Sequence, residues 1–177
     1  MTEPERTVRE RQDGDLPVLA AVLERVHAHD GYPVEGVADP RAWLEHSHEI
    51  RSWTAIVDHV PVGQVTLTEA QPEDDAARAW IERTGGSVTD IAVMGRLFLD
   101  PDHRGVGLAG FLILALRHHA QVISRTVVFD VMAKDAAAIH LYDRFGAEQI
   151  AEVTHHFGDG RTEPALVYAF PAPKLAG

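Results

Sequence analysis

Cysteine is absent from the chain. That excludes a disulfide framework, a thiolate nucleophile, an iron–sulfur cluster and any cysteine-ligated zinc. Long apolar runs are missing as well. Stretches such as Phe111–Leu116 fall far short of the ~18 residues that a membrane-spanning helix needs. The opening Met1-Thr2-Glu3-Pro4-Glu5-Arg6 holds no apolar segment, so nothing there marks export. The expectation is a cytoplasmic protein with no membrane partner. Positive charge is scarce: Lys and Arg number 16 against 27 Asp and Glu, a net of −11. That sign is wrong for a nucleic-acid partner, where basic residues neutralising phosphates supply most of the affinity. The same balance favours a cationic substrate through long-range attraction. It also serves, with no functional meaning, to keep an acidic surface soluble.

What is present reads as one folded domain. The chain has 177 residues, 45% hydrophobic and 24% charged, close to the globular average. A single domain over 6–171 is expected, with 1–5 and 172–177 as flexible termini.

Thr7–Arg11 can extend as a first strand. Asp13 and Asp15 then cap a helix whose apolar positions Leu16, Leu19, Ala20, Leu23 and Val26 follow the rhythm of one buried face. Pro17 is tolerable there because first-turn amides have no partner. Gly31-Tyr32-Pro33 breaks the chain, and Asp39-Pro40 restarts a helix that should run to about His48 with Trp43 and Leu44 facing inward. Ser52–Asp58 and Val62–Ala70 alternate like strands, with Val65 and Leu67 opposed to Gln64, Thr66 and Thr68, joined by a hairpin connection over Asp58–Pro61. The acidic stretch Gln71–Gly86 holds one short helix through Ala76–Arg83, and Trp80 within it calls for packing rather than full exposure. Val88–Leu99 is the longest strand candidate, followed by a helix over Gly105–Gln121. Thr126–Met132 reads as a central strand. Asp135 caps a helix that stops at Gly146. Two strands around Ala147–His156 and Thr162–Phe170 close the chain through the turn signal Asp159-Gly160.

The chemistry concentrates in Arg104-Gly105-Val106-Gly107-Leu108-Ala109-Gly110, between a strand end and a helix start. Glycines let the backbone turn sharply and bring N–H groups close to a ligand. The positive end of the following helix points to the same place. Together these make a pyrophosphate cradle with Arg104 at its mouth. Gly105-x-Gly107-x-x-Gly110, with Asp130 about 20 residues further on, also spells the dinucleotide fingerprint. Against that reading, Pro101 and its neighbours separate the strand from the first glycine. Moreover, only one helix and a hairpin follow Asp130, where a doubly wound sheet needs several more βα units.

The run from Leu97 to Ala109, an apolar strand, a proline-containing turn and then Arg104-x-x-Gly107-x-Ala109, resembles the acetyl-CoA motif of the GCN5-related N-acetyltransferase (GNAT) family. Downstream, Asp135-x-x-Ala138-x-x-Leu141-Tyr142-x-x-x-Gly146-Ala147 is similar to that family's Asn-x-x-Ala-x-x-Leu-Tyr-x-x-x-Gly-Phe helix. The element order matches as well. The resemblance implies an α+β GNAT fold: a mixed sheet of about seven strands split between strands 4 and 5, with about four helices in the order β-α-α-β-β-β-α-β-α-β-β. It implies an acyltransferase, moving a group other than aminoacyl from acetyl-CoA to a primary amine. The acceptor would be a small molecule or a peptide, and many members of the family form homodimers. A non-catalytic acyl-CoA-binding or regulatory module on the same fold is the alternative.

Residue by residue, the resemblance gives Leu97, Phe98 and Leu99 to the pantetheine through their backbone. It gives Arg104, Gly105, Val106, Gly107, Leu108, Ala109 and Gly110 to the pyrophosphate. Asp135 and Ala138 belong to the second cofactor-binding segment. Tyr142 becomes the acid that protonates the departing thiolate. An alkyl ammonium of pKa ~10 is only about 0.1% neutral at pH 7, a cost of roughly 4 kcal/mol, so a base must take its proton. The chain departs from the family twice. Asp135 stands where Asn is usual, exchanging a donor-and-acceptor for an acceptor alone, which leaves it helix capping. No Glu lies near Val93 or Met94, so the base is open among Asp90, Glu69 and a histidine. The histidine pairs His27/His29, His46/His48, His118/His119 and His155/His156 diverge from one another on their elements, and no metal site is expected. One or two histidines can serve as proton relays. Tyr32-Pro33 and the acidic segment are where acceptor contacts are expected.

Overall fold

The computed structural model describes residues 2–171; the tail expected over 172–177 lies outside them. The elements are β1 (Arg6–Glu10), α1 (Leu16–Asp30), α2 (Pro40–Leu44), β2 (Glu49–Val57), β3 (Val60–Glu69), α3 (Asp75–Thr84), β4 (Ile91–Leu99), α4 (Leu108–Val122), β5 (Thr126–Met132), α5 (Ala136–Arg144), β6 (Glu148–His156) and β7 (Thr162–Phe170), with short 3-10 turns before α1, β4 and α4. The strands form one mixed seven-stranded sheet in the order β1-β2-β3-β4-β5-β7-β6. Strands β4 and β5 pair in parallel, over Ile91↔Thr126, Ala92↔Val127 and Val93↔Val128. Among the described residues no helix is long and apolar enough to cross a membrane.

Several boundaries differ from expectation for local reasons. Helix α2 stops at Leu44 rather than near His48, because Glu45 is already extended at φ −92° and ψ 98°. The β2–β3 connection is a two-residue turn, Val57 pairing Val60. Asp58 and His59 both lie at positive φ, 46° and 68°, the backbone that matches strand twist in a tight hairpin. Val88–Asp90 is a 3-10 turn locked by a capping box with Ser87, so β4 begins at Ile91. Helix α3 realises the short helix anticipated in the acidic stretch.

The described residues cluster into two compact units. One takes the chain up to Thr68 together with Gly95–Leu116, and the other takes Glu69–Met94 together with the chain from Arg117 on. In the first unit, Leu16, Leu19, Val22, Leu23 and Val26 of α1 pack with Leu44 and Phe98, and Tyr32 and Trp43 lie against them. Burying each of these side chains is worth roughly 1.5–3 kcal/mol. Strand β3 departs from the expected wet-and-dry alternation: Gln64, Thr66 and Thr68 are buried along with Val65 and Leu67. Gly63 allows a close approach here, since an added Cβ would come within 2.4 Å of the Phe98 carbonyl oxygen. In the second unit, α3 covers Ile91, Val128, Val167 and Ala169 through Ala76 and Ala77, with Trp80 packed alongside. Phe129 centres an aromatic group with Tyr142, Tyr168 and Phe170, at ring distances of 4.6, 5.8 and 5.2 Å.

Candidate active site

In the first unit, β4 ends at Leu99 and Asp100 caps the next 3-10 turn, its side chain accepting from the Asp102 amide at 3.0 Å. Asp100 is also ion-paired with Arg25 of α1. Burial pushes the Asp100 carboxyl up, but the bonds from Arg25 and the Asp102 amide outweigh it and hold the group below the usual carboxylate range. Arg104 folds back on the strand it follows. Its guanidinium donates to the Leu99 carbonyl at 3.3 and 3.1 Å and to Asp30 of α1 at 2.6 Å. It therefore anchors the turn as much as it offers charge.

Gly105 and Gly107 take φ of 76° and 87°, the left-handed region that L side chains rarely adopt. Helix α4 starts at Leu108 rather than Gly105 for this reason. The Phe111 amide donates to the Gly107 carbonyl at 3.2 Å, which makes Gly107 the residue just before the helix. The amides of Leu108, Ala109 and Gly110 then belong to the first turn and have no intrahelical acceptor. A Cβ built on Gly105 would meet nothing within 4 Å, and one on Gly107 only the Phe111 ring at 4.0 Å. Open space before free amides at a helix N-terminus suits a diphosphate.

The backbone of β4 alternates sides. Phe98's carbonyl lies against Gly63, and the Asp100 amide donates to Val62 at 2.7 Å, so both face β3. Leu97 and Leu99 turn their backbone groups the other way, and Leu99's carbonyl is the one held by Arg104.

In the second unit, Tyr142 is 8% exposed and packs on Phe129. Burial, reinforced by the charges of Asp135 and Asp130, raises its phenol well above the ordinary range. Asp135 caps α5, accepting from the Ala138 amide at 3.0 Å. Asp90 is engaged as a cap, accepting from the Ser87 amide at 2.8 Å, and Glu69 is paired with Arg125 at 2.9 Å.

A further carboxyl, outside the set Asp90, Glu69 and a histidine, lies in the same unit. Asp130 of β5 stands 3.7 Å from Nδ1 of His155 on β6, a buried atom with no hydrogen-bond partner. Burial raises the Asp130 carboxyl, with Asp75 and Asp74 adding to the effect and His155 opposing it. The signal was visible: Asp130 is the one charge in the otherwise apolar strand Thr126–Met132. A groove of about 410 Å³ between α3 and β6 holds none of these residues. Among the described residues no group of side chains is arranged to hold a metal.

Comparison with known proteins bears on what this arrangement is. The model of the acetyltransferase (GNAT) family matches residues 19–147. No curated protein sequence matches the chain. Among solved structures, an N-acetyltransferase from Staphylococcus aureus Mu50 superposes with a TM-score of 0.72 at 19% identity, covering 94% of this chain and 98% of that one. The Salmonella typhimurium protein yncA, solved with its cofactor acetyl-CoA, gives 0.72 at 16% identity, covering 97% and 96%. The ribosomal-protein-S18-alanine N-acetyltransferase of Escherichia coli gives 0.67 at 19% identity, covering 98% and 100%. At these identities the structures establish the fold. With the family model spanning most of the chain, the protein belongs to the GNAT acetyltransferase family.

Proposed function

We propose that this acyltransferase, using acetyl-CoA as its cosubstrate, acetylates a primary amine by direct attack, with Tyr142 acting at the departing sulfur and Asp130 with His155 as the proton acceptor. The observation that carries the reading is the turn before α4, where Gly105 and Gly107 are left-handed with open space beside them, directly ahead of first-turn amides that have no intrahelical acceptor. Arg104, Gly105, Val106, Gly107, Leu108, Ala109 and Gly110 would hold the diphosphate there. Leu97 is the best-placed backbone partner for the pantetheine, added as a further strand, because Phe98 faces β3 and the Leu99 carbonyl is taken. The end of the β4–β5 ladder at Val93↔Val128 agrees with this.

Acetyl-CoA supplies a thioester: the amine nitrogen bonds to its acetyl carbon, the carbon–sulfur bond breaks, and the nitrogen gives up protons as sulfur gains one. Tyr142, raised by burial, stays protonated across the neutral range and so keeps the form that donates. A phenol more weakly acidic than a thiol of pKa about 8.5 steadies the sulfur mainly as a hydrogen-bond donor. The ammonium proton therefore needs its own acceptor. Asp130 suits it because its carboxyl is raised above the ordinary value and His155 lies beside it to pass the proton on. Asp135 and Ala138 fix the first turn of α5, which carries Tyr142.

Thiol release from acetyl-CoA with a panel of amines tests this. Tyr142→Phe should lower kcat by about 100-fold while acetyl-CoA still binds. Asp130→Asn should lower kcat/KM and remove the limb over which the rate falls as pH drops through the raised carboxyl. Turnover indifferent to Tyr142→Phe would take the phenol out of the reaction. Acetyl-CoA binding without turnover on any amine would make the protein an acyl-CoA-binding module.

A further inference from the structure

Strand β4 contains a residue in the left-handed region that is not glycine: Arg96, at φ 52°. Strained backbone of this kind persists where surrounding structure enforces it, and it concentrates at functional sites. The strain here aims a guanidinium. The Arg96 guanidinium carbon lies 5.0 Å from the centroid of the Trp43 ring, and Tyr32 meets the same ring edge-on at 5.8 Å. Nε of Arg96 is buried with no hydrogen-bond partner. Among the described residues Arg96 forms no ion pair.

The neighbouring carboxylates are already committed. Glu49 receives two bonds from Arg11, at 3.1 and 2.8 Å, and Glu35 accepts from the Trp43 indole at 2.8 Å. Other arginines of this unit are paired: Arg9 with Asp15, Arg25 with Asp100, Arg104 with Asp30. Acidic residues outnumber basic ones 27 to 16 in the chain, yet none closes on this half-buried cation. Burial pulls its pKa down, and Tyr32, Glu35 and Glu49 oppose that only from a distance. A planar fork lying on an aromatic face, with its donors unmet, suits a carboxylate gripped through two parallel bonds.

We propose that Arg96 receives a carboxylate carried by the acceptor itself, so that the amine acetylated by this protein is that of a small amino acid-like molecule. The proposal rests on the acetyl transfer above and names its substrate class. Arg96 immediately precedes Leu97, the residue assigned to the pantetheine, so a carboxylate on Arg96 holds the amine of the same small molecule a few bonds from that backbone. Trp43 and Tyr32 supply the apolar wall beside it.

The test compares kcat/KM for free amino acids with that for the carboxamide of each, in the wild type, Arg96→Gln and Arg96→Lys. The wild type should favour the best free acid over its amide by about 10- to 100-fold, the worth of bonds to a charged group. Arg96→Gln should erase that preference by raising KM for the acid, with kcat and the amide little changed, and Arg96→Lys should restore part of it. A wild type that takes amides equally well, or a preference that survives Arg96→Gln, overturns the proposal. Thermal stabilisation of the CoA-loaded protein by the same amino acids gives a readout free of turnover. Stabilisation lost in Arg96→Gln supports the site even if no acetyl transfer is found, in which case the transfer reading alone fails. Absence of stabilisation in the wild type sinks the site. Binding of acetyl-CoA by both variants shows that the fold is kept.

Discussion

Arg11 and Arg96 belong to the same unit and illustrate opposite uses of one side chain. Arg11 leaves 10% of its side chain exposed and spends its donors within the protein: on Glu49, on the Gln64 side chain at 2.9 Å and on the Leu44 carbonyl at 3.1 Å. Arg96 spends none. The two are linked by Gln64, which is fully buried, accepts from Arg11 and donates to the Arg96 carbonyl at 3.4 Å. One guanidinium builds the polar interior over β2 and β3. The other stands in the strained backbone that this interior helps to hold, with its donors unmet. A satisfied buried arginine is structural; an unsatisfied one at a strained position calls for a ligand.

The largest expected effect follows from removing the satisfied partner. Arg11→Met leaves Glu49 and Gln64 without their donor, and breaking a buried ion pair from one side costs about 3–5 kcal/mol. Urea denaturation should show a lowered midpoint with an unchanged slope. A loss under about 1 kcal/mol would mean that water reaches Glu49 as readily as Arg11 does, and the contrast between the two arginines would then disappear.

How far these features could be read in the chain depends on whether their causes are local. The caps at Asp39-Pro40 and Asp135, the break at Gly31 and the stop at Gly146 act within a turn of the chain, and the helix ends they set are found close to where they were expected. The glycine turn was legible for the same reason: a left-handed backbone at Gly105 and Gly107 needs residues without a Cβ. Arg96 gave no such notice, because φ of 52° at an arginine is imposed by the surrounding structure and not by local preference. Likewise, the Asp130–His155 pair depends on β7 lying between β5 and β6, an arrangement no short-range pattern announces. The buried polar face of β3 was misleading because its alternation looks the same whether Gln64 meets water or Arg11, and whether Thr66 meets water or Ser52.

A smaller effect comes from a carboxylate that is satisfied as fully as Arg11. Asp15 is 5% exposed and accepts from both terminal nitrogens of Arg9 at 2.7 and 2.8 Å, from the Gln12 amide at 2.8 Å and from Thr54 at 3.3 Å. Burial pushes its carboxyl up, but these bonds outweigh it and hold the pKa below the ordinary value. A lowered folded pKa stabilises the protein above the unfolded value of about 3.9, and that contribution fades as pH falls through the folded one. Asp15→Asn should cost about 1.5–3 kcal/mol at neutral pH. It should also flatten, without abolishing, the loss of stability on acidification, since Asp30 and Asp100 are lowered as well. Unfolding curves between pH 7 and pH 3 measure both, and an unchanged acid slope would count against Asp15 as a contributor.

The smallest effect on stability should come from Arg96 itself, and that smallness is informative. Arg96→Met removes a desolvated charge that gains no hydrogen bond or ion pair in return and keeps a long side chain to cover the Trp43 ring. Losing the cation–π contact costs about 0.5–2 kcal/mol, and relief of the burial penalty offsets it. The left-handed backbone strain is common to both side chains. The net change should therefore lie within about 1 kcal/mol of zero, on either side, by the same urea titration that records several for Arg11→Met. A loss as large as that of Arg11→Met would show that Arg96 is structural after all, and its free donors would no longer argue for a ligand. Near-neutrality would leave the unpaired guanidinium with no role in holding the fold, as a group kept for binding should be.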